Sequence, residues 1–137
     1  MHLKLLLLLI CCLGSAPASA AQYIDHGEYR IHYTTFSSLI IPAEVASAHD
    51  IVRSEKRIVL NLAVIKQDKP VAVSISGHVI NLLNQRYELV FDEVNEAEAI
   101  YYLASHLAVE HDILRFSLEV QLNATESIPI SFVRRYD

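Results

Sequence analysis

The histidines and carboxylates between residues 106 and 112 come closest, in type and spacing, to a metal site. His106 is followed at short distance by Glu110-His111-Asp112. A metal ion needs two or more imidazole or carboxylate ligands that converge within a few ångströms. A tight turn after Val109 would fold His111 back toward the strand that carries His106. No histidine pair has the i, i+4 spacing of a zinc-binding HExxH motif, so no metal site is predicted, and His106, His111 and Asp112 remain candidates only.

Surface histidines are the competing interpretation. His106 has the strand parity opposite to Tyr101 and Leu103, which predicts that its side chain faces solvent. The other histidines beyond the first twenty residues are scattered along the chain and form no recognisable ligand set: His26, His32, His49, His78 and His111.

No pattern of a nucleophilic or nucleotide-binding enzyme is present. No serine lies in a G-x-S-x-G turn, and only three glycines occur in the chain, so it has no glycine-rich phosphate cradle. Four acidic residues cluster in a segment predicted to be a turn, but without the D-x-D-x-D-G spacing of a calcium loop: Asp92, Glu93, Glu96 and Glu98. The sequence therefore predicts no catalytic residue and no cofactor.

Tyrosine is the aromatic residue that stands out, with seven copies and no tryptophan. Tyr101 and Tyr102 are adjacent on a predicted strand, so they point to opposite faces. One is expected in the core. The other either also belongs to the core or a sheet face, which is the favoured interpretation, or decorates a surface. An exposed tyrosine beside apolar residues is a usual ingredient of a binding patch.

The first twenty residues have the order of a secretory signal. A basic start with Lys4 precedes an unbroken apolar run over residues 5–13, and Ala18-Ser19-Ala20 follows with small residues at the cleavage positions. We predict a cleaved signal peptide over residues 1–20 and one domain over residues 21–137. The apolar run is about half the ~20 residues that a bilayer-spanning helix needs, which argues against a stable membrane anchor.

Removal of the signal leaves a chain without thiols, because both cysteines, Cys11 and Cys12, lie inside it. A lipid-modified cysteine would need a small residue before it, whereas Ile10 precedes Cys11. The domain therefore has no disulfide framework and no thiolate metal site. The formal net charge of −5 and the lack of a basic face argue against nucleic acid as a partner.

Alternation of apolar and polar residues dominates the mature chain and predicts strands at short, regular spacing. The clearest example runs from His111 to Leu122, and one short connector helix is predicted over residues 41–48. We therefore predict an all-β fold, a single antiparallel β-sandwich of immunoglobulin-like type with about seven strands. The segment from Arg57 to Lys66 is apolar at both parities. It is either a central strand covered on both faces or a strand whose outer face meets a partner.

Several segments resemble a bacterial family catalogued as domain of unknown function 4426. They are Gly27-Glu28-Tyr29-Arg30-Ile31-His32-Tyr33, Phe36, Ile41-Pro42-Ala43-Glu44-Val45-Ala46, Ile51-Val52-Arg53-Ser54, Asn81-Leu82-Leu83 and Glu98-Ala99-Ile100-Tyr101-Tyr102. The resemblance covers essentially the whole mature chain and implies a periplasmic, sandwich-like domain of a Gram-negative bacterium. It implies no activity and no catalytic residues. One departure is His49-Asp50, where a glycine-containing helix end is expected.

The function expected on these grounds is a non-catalytic periplasmic binding or accessory module. It would act through a sheet face, a sheet edge or a loop patch, on another periplasmic protein or a small ligand. The alternative is a metal-binding protein or small metal-dependent hydrolase that uses the region from His106 to His111.

Overall fold

The structure, a computed structural model, describes residues 21–96 and 98–136 and consists of two packed antiparallel sheets. The predicted β-sandwich is confirmed. The described part holds ten strands, three more than expected: β1 (Ala21–His26), β2 (Tyr29–Ser37), β3 (Arg57–Lys66), β4 (Lys69–Pro70), β5 (Ser74–Ile80), β6 (Arg86–Glu88), β7 (Asp92–Glu96), β8 (Ala99–Leu107), β9 (Ile113–Gln121) and β10 (Ser127–Arg135).

Strand order places the most apolar segment in the middle of the larger sheet. That sheet has the order β1-β2-β3-β8-β7, with the short β4 beside the end of β3, and the smaller sheet has the order β10-β9-β5-β6. Every pairing is antiparallel. Gly77 in β5 permits a close approach to β9, because a Cβ there would lie 2.6 Å from the carbonyl oxygen of Ser117.

The main core lies between the two sheets and follows from the alternation. In β9 the residues Leu114, Phe116, Leu118 and Val120 are buried, while their neighbours face outward. The ring of Phe132 stands 4.8 Å from that of Phe116 on its own sheet and 4.8 Å from that of Tyr33 on the other sheet. Such aromatic pairs add to the free energy of burial and fix how the sheets pack.

A second core covers the outer face of the larger sheet. A 3₁₀ turn (Ser38–Ile40) and the helix α1 (Ala43–Ala48) bring Ile41 and Val45 over Val59. Its neighbour Leu60 faces the smaller sheet. The structure therefore selects the first of the two interpretations of β3, a central strand covered on both faces.

Tyr101 and Tyr102 are both buried, so of the two alternatives the core interpretation holds and neither decorates a surface. Tyr102 belongs to the core between the sheets, and Tyr101 belongs to the core under α1. The physical reason is the second core, which leaves β8 without a solvent face at this point. The Tyr102 hydroxyl donates to Glu93 Oε1 at 2.7 Å and accepts from the Val73 amide at 2.8 Å.

The helix ends without the expected glycine. Asp50 adopts a left-handed backbone with φ of 54°, and the Ile51 amide donates to the Ala46 carbonyl at 2.8 Å. Aspartate tolerates this conformation better than most residues, since its short polar side chain can bond locally. His49-Asp50 therefore closes the helix by the same geometry that glycine would give.

Two edge strands escaped the sequence analysis. β1 carries mixed residues at the margin of the larger sheet, and β7 contains the acidic cluster that was predicted to be a turn. Only Val94 of β7 is buried, so the strand has little apolar signal. Nowhere in the described ranges is a helix long and apolar enough to cross a membrane.

Candidate functional site

Exposed apolar side chains gather where β8 ends and β9 begins. Leu107 and Val109 lie here, and the turn between β5 and β6 brings Leu82, Leu83 and Tyr87 to the same end of the sandwich. These five residues form the end patch. Their exposed fractions range from 39% for Val109 to 66% for Leu83. Contiguous exposed apolar side chains on a small domain mark a candidate interaction site.

Asp112 forms hydrogen bonds to both loops that carry the end-patch residues Leu82, Leu83 and Val109. Its side chain is 1% exposed. Oδ1 accepts a hydrogen bond from the Leu82 amide and Oδ2 accepts one from the Val109 amide, both at 2.9 Å. The Asp112 carbonyl also accepts from the Tyr136 amide at 2.8 Å, which ties in the end of β10. Charge-assisted bonds of this kind are stronger than neutral ones, so the loops are held in one arrangement.

The turn between β5 and β6 is closed by its own side chains. The Gln85 amide donates to Asn81 Oδ1 at 2.9 Å, and Asn81 Nδ2 donates to Gln85 Oε1 at 2.9 Å. Asn84 takes a left-handed backbone with φ of 63°, and its side-chain oxygen accepts from Arg115 at 3.3 Å. Leu82 and Leu83 therefore project from a braced turn.

His106 lies beneath the end patch, which corrects the prediction that it faces solvent. It is 8% exposed, and its ring centroid is 5.0 Å from that of Tyr87. Its parity does oppose that of Tyr101 and Leu103, but those two face α1, so His106 points between the sheets. Its Nε2 atom is buried and has no hydrogen-bond partner among the described residues.

Burial lowers the pKa of His106 below its ordinary value, and Arg57 adds to the lowering while Asp112 opposes it. The imidazole is therefore held neutral more readily than a free one. A neutral histidine can pack against the Tyr87 ring without an unpaired charge under the patch.

The structure does not bring the three candidate metal ligands together. His106 and Asp112 point inward, whereas the His111 side chain is 73% exposed and lies 3.8 Å from the adjacent Glu110. The left-handed backbone of His111, with φ of 56°, directs the chain through the turn. Across residues 21–96 and 98–136 no group of three histidine, cysteine or carboxylate side chains could hold a metal ion.

An open cleft at the opposite end of the larger sheet has a volume of about 400 Å³ and contains Arg30. Its guanidinium is bound to Asp25 at 2.7 and 3.1 Å and lies over the Tyr23 ring at 4.2 Å. The cation is already paired, so this cleft offers an anion no free charge.

Sequence reasoning missed the end patch, although one signal was present. Leu82 and Leu83 are adjacent in a segment that otherwise alternates, and a turn follows directly. Two neighbouring apolar residues cannot both face one core of a strand. The link to Val109 was not readable, because it depends on a bond between residues thirty positions apart, Leu82 and Asp112.

The fold defines a class of small two-sheet β-sandwich domains with one covering helix. A family model, domain of unknown function 4426, matches residues 23–136, so the chain belongs to this family. The resemblance read from the sequence is thereby confirmed. A comparison with curated proteins finds no significant match.

Two solved structures are similar to this chain. A crystal structure of a DUF4426 family protein from Pseudomonas aeruginosa PAO1 is 29% identical, with a TM-score of 0.77, and the match covers 85% of this chain and 94% of that one. A copper-bound variant of FetP from uropathogenic Escherichia coli strain F11 is 10% identical, with a TM-score of 0.62, and covers 85% and 95%. At 10% identity the second likeness concerns the fold alone.

Proposed function

We propose that the chain is an exported periplasmic, non-catalytic binding or accessory module that contacts a protein partner through the end patch. The observation that carries the proposal is the patch itself, five exposed apolar side chains at one end of the sandwich, where the buried Asp112 carboxylate binds two loops together. Its export rests on the leader over residues 1–20, which lies outside the described residues.

The end patch has the physical properties of a binding surface. Full burial of one leucine side chain stabilises a complex by about 1.5–3 kcal/mol. Because the loops are braced before binding, little conformational entropy is lost when a partner covers them. Tyr87 supplies a partly exposed aromatic ring of the kind that anchors interfaces.

A protein is a better fit to this surface than a small ligand. Leu83 and Leu107 project into solvent, with more than half of each side chain exposed, rather than lining a cleft. Small-molecule sites are concave and enclose most of their ligand, whereas protein partners bury broad and gently shaped surfaces.

No observation favours the alternative of a metal-binding protein or hydrolase that uses His106 and His111. The two imidazoles point in different directions, and copper is a property stated for the FetP variant only. Elemental analysis of untagged protein tests this alternative, since stoichiometric metal that disappears in the double variant His106→Ala, His111→Ala would revive it.

Site-directed crosslinking in cells tests the proposal. The photoreactive residue p-benzoylphenylalanine is placed at Leu83, and at Thr125 as a matched exposed control at the opposite end. We expect one defined partner band from position 83 that disappears when Leu107→Asp is added. Equal labelling from both positions, or a band that survives Leu107→Asp, would contradict a role for the end patch.

The processing step has its own measurement. Mass spectrometry of the exported protein is expected to find Ala21 at the N-terminus. An intact leader, or a lipid on Cys11 or Cys12, would overturn that part of the proposal.

A further inference from the structure

The outer edge of β10 is a second surface, independent of the end patch. Within the described residues β10 pairs with β9 only, so one side of this nine-residue strand has no strand beside it. The backbone groups on that side are hydrogen-bond donors and acceptors without a neighbouring strand, although the Val133 carbonyl accepts from Arg134 Nη1 at 3.0 Å. Such an edge can accept a further strand.

Two bonds at the ends of the pairing show which residues point outward. The Leu122 amide donates to the Glu126 carbonyl, and the Tyr136 amide donates to the Asp112 carbonyl. Both pairs continue the register of the β9–β10 ladder. In an antiparallel ladder, hydrogen-bonded pairs alternate, so even-numbered residues of β10 bond to β9 and odd-numbered residues direct their N–H and C=O groups outward.

Pro129 divides this edge into two halves. It is an odd-numbered residue, so the N–H that it lacks would have pointed outward. Proline at such a position blocks strand addition locally. The outward N–H groups of Ser131, Val133 and Arg135 remain, and all three residues are exposed, Val133 by 52%.

Charge differs between the two halves. Beside the open half, Arg115 lies directly across from Val133, and Arg135 lies across from Ile113, on the solvent face of the smaller sheet. Beside the half that Pro129 blocks, Glu119 lies on the same face and accepts from the Ser127 hydroxyl at 2.5 Å. The open half is therefore basic in a chain whose formal net charge is −5.

We propose that β10 between Ser131 and Arg135 binds an extended, acidic segment of a partner polypeptide, which adds to the smaller sheet as an antiparallel strand. Alternate side chains of that segment lie on the solvent face next to Arg135 of β10, with Arg115 one strand further away in β9, so carboxylates are favoured there. A second copy of this chain fits less well, because a two-fold pairing at Val133 gathers four arginines on one sheet face without a carboxylate between them.

Two blocked heptapeptides test the proposal, one that alternates valine with glutamate and one that alternates valine with lysine. Each is titrated into ¹⁵N-labelled protein that comprises residues 21–137. We expect the glutamate peptide to bind at least about tenfold more tightly, with a difference that shrinks at high salt. It should shift and protect the amides of Ser131, Val133 and Arg135, and leave that of Ser127 unchanged.

Variants separate the backbone contribution from the charge. Val133→Pro removes one outward N–H in the open half and should abolish binding, whereas Ser127→Pro removes one in the blocked half and should not. Thermal unfolding checks that both variants fold. If Val133→Pro is unfolded, Arg135→Glu provides the second test, and it should reduce the preference for the glutamate peptide.

Three outcomes would overturn the proposal. Binding of neither peptide would exclude strand addition at this edge, and equal binding of both would exclude an acidic partner. A concentration-dependent dimer in analytical ultracentrifugation that Val133→Pro abolishes would identify a second copy as the occupant. None of these results bears on the end patch, since its residues lie outside β10.

Discussion

The two ends of the sandwich differ in the side chains that they expose to water. At the hairpin end, formed by residues 26–29, 66–69 and 122–127, charged side chains pair with one another, as Arg30 does with Asp25 at 2.7 Å and His26 with Glu126 at 3.2 Å. At the other end, a buried carboxylate holds apolar side chains outward. Both ends are ordered by internal bonds, but only the hairpin end presents polar and charged side chains, which water solvates well. At the end patch, the internal bonds instead hold apolar side chains in water.

The largest effect is expected for Asp112→Ala, which removes the hydrogen bonds that join the loops of the end patch. The amides of Leu82 and Val109 lose their acceptor together, and each hydrogen bond to a charged group contributes about 1.5–3 kcal/mol. We expect the free energy of unfolding in urea to fall by about 2–5 kcal/mol. Hydrogen exchange at those two amides should accelerate more than exchange in β3.

The matched control is Glu28→Ala at the hairpin end, where the carboxylate is 62% exposed. Its free energy of unfolding should change by less than about 0.5 kcal/mol. An equal loss in both variants would remove the distinction between the two ends.

A smaller effect is expected from acid, through His106. Because the pKa of this imidazole is lowered by burial, the folded state favours the neutral form. Its contribution to stability is therefore present above the ordinary value of 6.5 and is lost as pH falls through the lowered pKa. We expect the free energy of unfolding to fall between pH 7 and pH 5 less steeply in His106→Gln than in the unaltered protein.

His32 contributes with the same sign, because burial lowers its pKa as well. The difference between the two proteins therefore isolates His106. His111→Gln is the control, since it removes an exposed imidazole and leaves the buried one in place. A His106→Gln profile that matched that of the unaltered protein would mean that the imidazole beneath the patch is not held neutral.

A still smaller effect is expected for Arg30→Ala at the hairpin end. The ion pair with Asp25 is solvent-exposed, and such pairs contribute about 0–1 kcal/mol, less at high salt. Chemical denaturation with and without about 0.5 M salt measures it. A loss above about 2 kcal/mol would show that this end depends on its charge pairs as the other end depends on Asp112.

The smallest effect on stability is expected for Leu83→Ser, although the residue is the most exposed leucine of the end patch. The free energy of unfolding should change by less than about 0.5 kcal/mol, since little buried area is lost. Crosslinking from a neighbouring patch position should nevertheless fall. A large loss of stability would mean that Leu83 belongs to the core and not to a binding surface.

The architecture was predictable from the sequence because alternation in β2, β9 and β10 reports directly which residues are buried. The same signal failed for β7, where the apolar residue Val94 has only acidic and polar neighbours within the strand. It misled for His106, because parity distinguishes two faces of a strand but does not tell whether the second face is also covered. The end patch and the free edge of β10 depend on which distant segments become neighbours, and no local pattern encodes that.

The order of strands also determines when the chain can fold. In the larger sheet, the strand between β3 and the edge strand β7 is β8. In the smaller sheet, the strand between β5 and the edge strand β10 is β9. Both β8 and β9 come from the last third of the chain, which therefore completes both sheets. No N-terminal portion contains a closed core, and the many distant pairings make a slow, late and cooperative folding reaction. A chain synthesised only as far as β7 therefore lacks a strand that each sheet needs, so it can complete neither core.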